Sequence, residues 1–521
     1  MLMENVTKNN YKKVDSLKKR YFYKLGAGLI GTPISVIMAA IVPRSLGPAA
    51  YGNFTFLTQF FTKTVGFFDT GTSIGFYTKL SQRLHEKGLI KFYWFFVIFM
   101  SFMVIIFVPI VFMFNKQNIL WPDQSIKYIC MALIFSLFTW CSQIVIKIVD
   151  AYGYTAKGEI VRIIRRVIGL VIILALFFIG NLNLTTFFCY HYVCIFIIII
   201  GCRYFFKKNG ISLFPKIKLK SGQVKNYIKE FWIYSHPLLT YSFVGLFVGI
   251  FDIWILQKIA GSVQQAFYGL AFRISGIIFL FASSMTPLIT REFSIAFGNK
   301  NIDKMRKLFI RYIPMLYVVV AFFSIFLSVN ANTVSLIVGG RKFIHASVPI
   351  MIMSIYPMHQ TYGQLSGSVF YATVKTKLYR NIGIIMMLIG LPVTFFLLAS
   401  PKYYGLNLGA TGLALKMVLI QFIGVNIQLW FNSKYLKMSF LKFFSHQLYT
   451  IVYLAFIAFL SLHLCKVISS NLIISFLANG LFYVIFTILL IYFIPGIISS
   501  SRNEINKYFR LILNKLKGKL K

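Results

Sequence analysis

Five charged side chains lie well inside long apolar segments: Lys63, Asp69, Asp252, Arg273 and Lys416. A charge within a membrane is costly, so such a side chain normally faces the protein interior or a water-filled cavity. Three of these residues are cations and two are acids, and ammonium and guanidinium groups are the usual partners of phosphate. The set predicts a hydrated cavity whose cationic lining, Lys63, Arg273 and Lys416, binds an anionic substrate. The alternative is a purely structural ion pair, such as Asp252 with Arg273.

The segment that contains Lys63 has one polar face. Asp69 follows Lys63 by six residues, about 9 Å along a helix, so both are predicted to line one cavity without forming a tight pair. The apolar residues Leu57, Phe60 and Phe61 lie on the opposite side. At 100° per residue, the polar and small residues fall on one face of the helix; they are Thr55, Gln59, Thr62, Gly66, Asp69 and Ser73.

A later apolar segment adds a second group of polar candidates, His359, Gln360 and Gln364. Together with Gln59, these side chains are predicted to line the cavity, where amides, hydroxyls and aromatic rings suit sugars. Protonation of Asp69 or Asp252 would couple transport to pH, and the choice between H⁺ and Na⁺ as coupling ion stays open. A simpler alternative is that small residues pack the helices and polar residues hold neighbouring helices together.

The motifs of common enzyme classes are missing from the sequence. It contains no P-loop and no G-x-S-x-G, so neither ATP hydrolysis nor serine chemistry is indicated. The histidines lack the spacing of metal ligands, and the six cysteines form no C-x-x-C, so no metal site and no cofactor are predicted. No loop between the tails exceeds about 30 residues, which is too short for a soluble catalytic domain. The protein is therefore predicted not to be an enzyme.

Fourteen apolar segments must position these residues. Hydrophobic residues make up 58% of the chain, charged residues make up 13%, and the mean hydropathy is +0.75. Because a membrane-spanning helix needs about 20 mostly apolar residues, the pattern predicts an all-α polytopic membrane protein. The predicted spans are 25–45, 53–78, 92–114, 128–149, 164–182, 186–206, 231–257, 266–290, 308–330, 347–372, 381–400, 409–431, 446–469 and 472–495.

Lysine and arginine are distributed unevenly between the loops. Of these 54 residues, 43 lie in the tails and even-numbered loops, 8 in odd-numbered loops and 3 deep in apolar segments. Loops rich in cations stay cytoplasmic, so both termini are predicted to be cytoplasmic and the protein to lie in the cytoplasmic (inner) membrane. The net charge of +42 then contacts anionic lipid headgroups at the helix ends. It does not indicate a nucleic-acid partner.

Weak internal similarity indicates a duplication. Tyr51-Gly52 follows the first span and Tyr268-Gly269 follows the seventh, and YGYTAK (152–157) has a counterpart in YATVK (371–375). Two six-helix lobes around a central cavity would place a substrate site near mid-membrane, as internal repeats do in transporters. The predicted organisation is a basic cytoplasmic tail (1–22), an N-lobe (23–206), a basic connector (207–230), a C-lobe (231–432), two further spans (446–495) and a second basic cytoplasmic tail (496–521).

Two stretches carry a resemblance to a known family. In the first (28–75), a long apolar helix ends in an R-x-L-G-x-x-x-Y-G turn, and a second helix with Asp69 and Gly71 follows. In the second (252–276), Asp252, Gly261, Tyr268, Ala271 and Arg273 match the signature of the second lobe, and 334–350 looks like the loop before span 10. The chain resembles Wzx-type polysaccharide flippases of the multidrug/oligosaccharidyl-lipid/polysaccharide exporter superfamily.

The resemblance implies alternating access and translocation of an undecaprenyl-pyrophosphate-linked oligosaccharide, the precursor of O-antigen (lipopolysaccharide), capsule or exopolysaccharide. It also implies glycosyltransferases and a polysaccharide polymerase as partners. Family flippases have a cationic central cavity, a role that Lys63, Arg273 and Lys416 would fill here. The alternatives are a multidrug or peptidoglycan-precursor exporter of the same superfamily and, from a different class, a membrane-embedded glycosyltransferase or polymerase. The first span contains no carboxylate, which makes cation-coupled drug export less favoured.

Overall fold

The computed structural model of the protein describes residues 17–83, 86–208, 212–466, 471–504 and 506. Most of the two predicted basic tails lies outside these residues. The apolar runs form helices because a helix satisfies its own backbone hydrogen bonds where water is absent. Within the described residues the secondary structure is helical, without strands.

Eight α-helices precede residue 299 and eight follow it. The first eight are α1 (Leu17–Asp69), α2 (Thr72–Gln82), α3 (Lys87–Met113), α4 (Gln117–Leu120), α5 (Ile126–Ala151), α6 (Thr155–Phe178), α7 (Leu184–Lys208) and α8 (Ser221–Gly298). The others are α9 (Ile302–Val329), α10 (Ala331–Gly339), α11 (Ser347–Met353), α12 (Tyr356–Ala372), α13 (Thr376–Leu398), α14 (Gly409–Leu436), α15 (Phe440–Lys466) and α16 (Leu472–Phe493). Three short 3₁₀ helices cover Arg341–Ala346, Pro401–Tyr403 and Pro495–Ile498.

Ten helical stretches of the described chain are long and apolar enough to cross a membrane. Two of them, in α1 and α8, bend at Gly47 (φ 74°) and Gly261 (φ 76°), where only glycine adopts this backbone conformation without strain. Each of these bent helices therefore supplies two of the predicted spans. Two further predicted spans correspond to α6, whose first half is rich in charges, and to the 17-residue α12. The predicted all-α polytopic fold is confirmed.

Two of the predicted spans are wrong, because each was expected to be one continuous helix and is interrupted in the structure. The predicted span 53–78 is interrupted after Asp69, where Thr70 (φ 42°) and Gly71 (φ 73°) leave the helical conformation and α2 begins at Thr72. The predicted span 347–372 consists of α11 and α12, separated by a turn at 354–355. Pro357 lies in the first turn of α12, where its missing N–H does not disturb the helix.

The chain divides into two compact units, Met1–Ala266 and Phe267–Lys521. In the first unit, α1 packs against α5 and α6, and α7 packs against α5 and α6. Gly52 permits close contact between α1 and α8, because a Cβ there would lie 1.8 Å from the carbonyl oxygen of Ser262. The neighbouring Asn53 accepts a hydrogen bond from the Ser262 hydroxyl. The Tyr-Gly motif thus marks a helix contact.

In the second unit, α9 packs against α12 and α15, and α14 packs against α11, α12 and α13. The last two helices belong to this unit, since α15 contacts α16 and the Tyr483 hydroxyl of α16 donates to the carbonyl oxygen of Phe322 at 3.0 Å. The division between the units falls within α8, and the predicted lobe limits at 206 and 231 stay a prediction.

Candidate functional site

Lys63 and Asp252 lie near the contact between α1 and α8. A Cβ at Gly249 would lie 2.8 Å from Lys63 Nζ, so the absence of a side chain at Gly249 makes room for the ammonium group. Asp252 follows Gly249 by three residues, which places it on the same side of α8 one turn later. Asp252 is buried, at 8% exposure. The first unit therefore brings two of the five predicted charges to one helix contact.

The middle of the polar face predicted around Lys63 forms an accessible strip of α1, whereas Thr55 and Ser73 at the two ends of that face are buried. Gln59 and Lys63 are half-buried, whereas Thr62 and Gly66 are exposed. The opposite side is packed, with Leu57 and other apolar side chains buried in the core of the unit. Since residues spaced by three and four share a helix face, this strip presents an ammonium, an amide and a hydroxyl side by side.

Asp69 is held by donors from three helices. Its Oδ1 atom accepts hydrogen bonds from the Tyr93 hydroxyl of α3 at 3.2 Å and from Trp140 Nε1 of α5 at 3.3 Å. The backbone N–H of Ser73 also donates to Oδ1 at 3.2 Å, and the Ser73 hydroxyl donates to Oδ2 at 2.6 Å. Asp69 stabilises the start of α2 and the break that precedes it.

Lys147 is a charge in this region that is not among the five charges identified from the sequence. It lies in the last turns of α5, and its ammonium group donates to the Ser73 hydroxyl, which in turn bonds Asp69. The signal was its position inside the predicted span 128–149, close to the end. Asp69 and Lys147 thus share Ser73 as a bridge, and Asp69 is tied to α2, α3 and α5.

Lys416 lies in a different setting within the second unit. It is only 4% exposed, and its stem packs on α13, where a Cβ at Gly390 would lie 2.8 Å from Lys416 Cε and 3.3 Å from Nζ. Arg273, in α8 after the bend at Gly261, is half-buried. Lys416 therefore belongs to the α13–α14 contact, whereas Lys63 belongs to the α1–α8 contact.

The polar candidates of α12 are directed to different neighbours. His359 is buried at 3% exposure and stands edge-on to Phe422, with ring centroids 4.9 Å apart. Gln360 accepts a hydrogen bond from the Tyr356 hydroxyl at 3.3 Å, and Gln364 accepts one from Thr286 at 3.5 Å. Among the described residues, no group of His, Cys, Asp or Glu side chains is arranged to hold a metal ion.

A charged cluster outside the membrane-spanning segments was missed by the sequence analysis. Glu230 Oε2 lies 2.6 Å from both Lys79 Nζ and Arg83 Nη2. Hydrogen bonds from Arg83 and Lys79 lower the pKa of the Glu230 carboxyl, and the bond to Glu230 raises the pKa of Arg83. Arg83 also contacts Glu86, which accepts a hydrogen bond from Tyr227 at 2.5 Å. The partners are far apart along the chain, so spacing gave no signal.

Ten long apolar helical stretches, two of them bent at glycine, characterise the described chain as a multi-pass, all-helical membrane protein. The family described as polysaccharide biosynthesis protein matches residues 17–291, a little over half of the chain. The chain belongs to this family, as its resemblance implied. No curated protein matches the sequence.

Solved structures with a similar fold are transporters. The lipid II flippase MurJ in an inward closed conformation has a TM-score of 0.64 and 13% identity, covering 91% of this chain and 98% of its own. A multidrug resistance MATE family transporter of the MOP superfamily, facing inward, has a TM-score of 0.57 and 13% identity, with coverages of 79% and 94%. An outward-facing MATE family transporter has a TM-score of 0.51 and 12% identity, with coverages of 83% and 98%. At such identities these similarities establish the fold.

Proposed function

We propose that this protein is a flippase that moves an undecaprenyl-pyrophosphate-linked oligosaccharide repeat unit across the cytoplasmic membrane by alternating access. The observation that carries the proposal is Lys63 on the accessible strip of α1, inside the residues that match the polysaccharide biosynthesis family. An ammonium group in a membrane helix needs a hydrated or anionic neighbour. The pyrophosphate of a lipid-linked sugar supplies the anion, and the MurJ fold supports a lipid-linked substrate.

Each predicted side chain has a distinct part in this proposal. Lys63 binds the pyrophosphate as a point charge, and Gln59 and Thr62 donate to and accept from sugar hydroxyls. Arg273 is the second phosphate-binding cation. Lys416, at 4% exposure, reaches the substrate only in a conformation that opens the α13–α14 contact. Asp252 lies one helical turn after Gly249, against which Lys63 packs. Its carboxylate compensates part of the positive charge of the site when no substrate is bound.

The cellular setting belongs to the same proposal. Glycosyltransferases supply the lipid-linked repeat unit on the cytoplasmic side, and a polysaccharide polymerase consumes it on the other side. The product is O-antigen (lipopolysaccharide), capsule or exopolysaccharide. Both termini are proposed to be cytoplasmic in the inner membrane, where the basic loops contact anionic lipids. The protein binds and moves its substrate without catalysing a reaction.

The test is transport of a defined undecaprenyl-pyrophosphate oligosaccharide in proteoliposomes by the wild type and by Lys63→Ala. We expect the transport rate of Lys63→Ala to fall by about tenfold or more, because a charge-assisted contact to phosphate contributes about 1.5–3 kcal/mol. Lys63→Arg should recover part of the rate. The matched control is Lys127→Ala, which removes an exposed lysine and should transport like the wild type.

Two results would count against the proposal. Equal transport rates for the wild type and Lys63→Ala would show that Lys63 does not bind the substrate. A wild-type protein that moves no lipid-linked sugar, together with drug sensitivity and intact surface glycans in a deletion strain, would favour the multidrug exporter instead.

A further inference from the structure

Two cations at the end of α2 meet the carboxylate of Glu230, near the start of α8. Lys79 Nζ and Arg83 Nη2 each lie 2.6 Å from Glu230 Oε2, and Arg83 Nη1 donates to Oε1 at 3.4 Å. Lys79 and Arg83 are four residues apart, so they share a face of α2. An ammonium group and a guanidinium fork around one anion is an arrangement with which proteins bind phosphate. We call these three residues the Glu230 cluster.

Arg83 has a second partner that holds it independently of Glu230. Arg83 Nη1 lies 3.2 Å from Glu86 Oε2, and the other oxygen of Glu86 accepts a hydrogen bond from the Tyr227 hydroxyl at 2.5 Å. Tyr227 in turn packs on the first turn of α3, where a Cβ at Gly88 would lie 3.1 Å from its hydroxyl oxygen. The guanidinium group would therefore keep its position if the carboxylate of Glu230 moved away.

The carboxylate of Glu230 is held less firmly than that of Glu86. Its hydrogen bonds within the described residues come from Lys79 and Arg83, and its side chain is 33% exposed. Because partly exposed ion pairs stabilise a fold only weakly, this carboxylate can leave the two cations. A phosphate group carries more negative charge and more acceptor oxygens than a carboxylate. It therefore competes with Glu230 for the same two cations.

The surroundings of the Glu230 cluster are basic. The connector that leads into α8 packs on α3, where Trp94 Nε1 donates to the carbonyl oxygen of Leu213 at 2.9 Å and the Lys91 ammonium group donates to that of Ile217. The exposed lysines of this connector and of the first turns of α8 are Lys216, Lys218, Lys220, Lys225 and Lys229. Such a concentration of cations attracts anionic groups at a membrane surface, so phosphate is enriched where the cluster lies.

We propose that Lys79 and Arg83 form an entrance site for the pyrophosphate of the lipid-linked substrate, and that Glu230 occupies this site until the pyrophosphate displaces its carboxylate. The substrate binds here before it reaches Lys63. The identity of the ligand rests on the proposed transport function, whereas the exchange of a carboxylate for a phosphate does not. The phosphate of an anionic phospholipid has the same chemistry, and the experiments separate the two sources.

Displacement is tested by titrating inorganic pyrophosphate into the full-length protein in phosphatidylcholine nanodiscs, with Kd measured by calorimetry. Glu230→Gln removes the competing charge and keeps the size of the side chain, so we expect Kd to fall by about fivefold. Lys79→Gln removes one of the two cations, so Kd should rise by about tenfold. The opposite signs are decisive, because both variants break the ion pair and a merely structural pair would give them the same effect.

The matched control is Arg291→Gln, which removes a cation from an exposed pair with Glu292 and should leave Kd unchanged. Melting temperatures check that each variant is folded. If Lys79→Gln does not fold, Arg83→Lys takes its place; it keeps the charge, loses the fork and should bind pyrophosphate more weakly. Equal values of Kd or shifts of the same sign in the two variants would overturn the displacement, and so would the absence of measurable binding to Glu230→Gln.

The source of the phosphate is tested by transport of lipid-linked oligosaccharide in proteoliposomes prepared with and without phosphatidylglycerol. In both lipid mixtures, Lys79→Gln should raise the substrate concentration for half-maximal transport by about tenfold, more than it lowers the maximal rate. An unchanged half-maximal concentration, together with pyrophosphate binding that phosphatidylglycerol abolishes, would assign the site to phospholipid headgroups and overturn its role in substrate entry. Absence of transport in the wild type would contradict the proposed function, and the pyrophosphate titration would still decide whether Glu230 is displaced.

Discussion

Lys63 and Lys416 present the same feature in the sequence, a lone lysine in an apolar segment, but their surroundings differ. Each packs on a glycine of a neighbouring helix, with the nearest lysine atom 2.8 Å from where a Cβ would lie. At Gly249 that atom is the ammonium nitrogen of a half-buried side chain, and at Gly390 it is a methylene of a buried one. Gly249 of α8 leaves space for the ammonium group of Lys63, whereas Gly390 of α13 leaves space for the aliphatic part of the Lys416 side chain. A cation in an apolar segment is therefore weak evidence for a binding site until the exposure of its side chain is known.

The largest effect on stability is expected from Gly390→Ala. The new methyl group would overlap the stem of a buried lysine that has little room to move, so the free energy of unfolding should fall by about 1–3 kcal/mol. Thermal denaturation in detergent measures the change. Gly276→Ala, with nothing within 4 Å of the new Cβ, is the control and should be neutral or slightly stabilising. An undiminished melting temperature for Gly390→Ala would mean that Lys416 is not held as described.

A smaller effect on stability is expected from Gly249→Ala, which meets the end of a flexible side chain. Displacement of the Lys63 ammonium is offset by the better helix propensity of alanine, so stability should change by less than about 1 kcal/mol. The transport rate should nevertheless fall, because Lys63 leaves its position. A transport rate equal to that of the wild type would show that the α8 contact does not position Lys63.

The smallest effect concerns the lysine outside the spans, Lys79, which is paired with Glu230. The lowered pKa of Glu230 means that its contribution to stability is present above the unfolded-state value of about 4.3 and disappears as the pH falls through the lower folded-state value. Because the pair is partly exposed, the contribution should stay below about 1 kcal/mol. Glu230→Gln should flatten the acid dependence of the melting temperature, whereas Glu292→Gln, in an exposed pair, should not. An acid dependence that is the same in both variants would rule out this contribution.

The helices were predictable because the bilayer imposes a length and an apolar composition that can be read locally. The bends at Gly47 and Gly261 were visible only as turn motifs between spans. The break after Asp69 was not predictable, because a polar face continued past it. Two of the donors that hold Asp69 belong to Tyr93 and Trp140, on helices that sequence spacing does not relate to it.

The residues of the candidate site were likewise only partly predictable from the sequence. The sequence identified Lys63, Asp252, Arg273 and Lys416 because a charge in an apolar run is conspicuous. It could not tell which lysine is accessible, since exposure depends on the facing helix. Lys147 escaped because it lies close to the end of its span, and Glu230 escaped because its partners are distant in the chain.

The sequence by itself determined the membrane class, the helical spans and the family, since these depend on composition, segment length and motifs that are contiguous in the chain. Tertiary structure alone decided which charges are paired and which are accessible, and where buried polar atoms lack partners. The physical reason is that burial and hydrogen bonding are properties of pairs of helices. The partner of a side chain in one apolar segment is set by how the segments pack against one another.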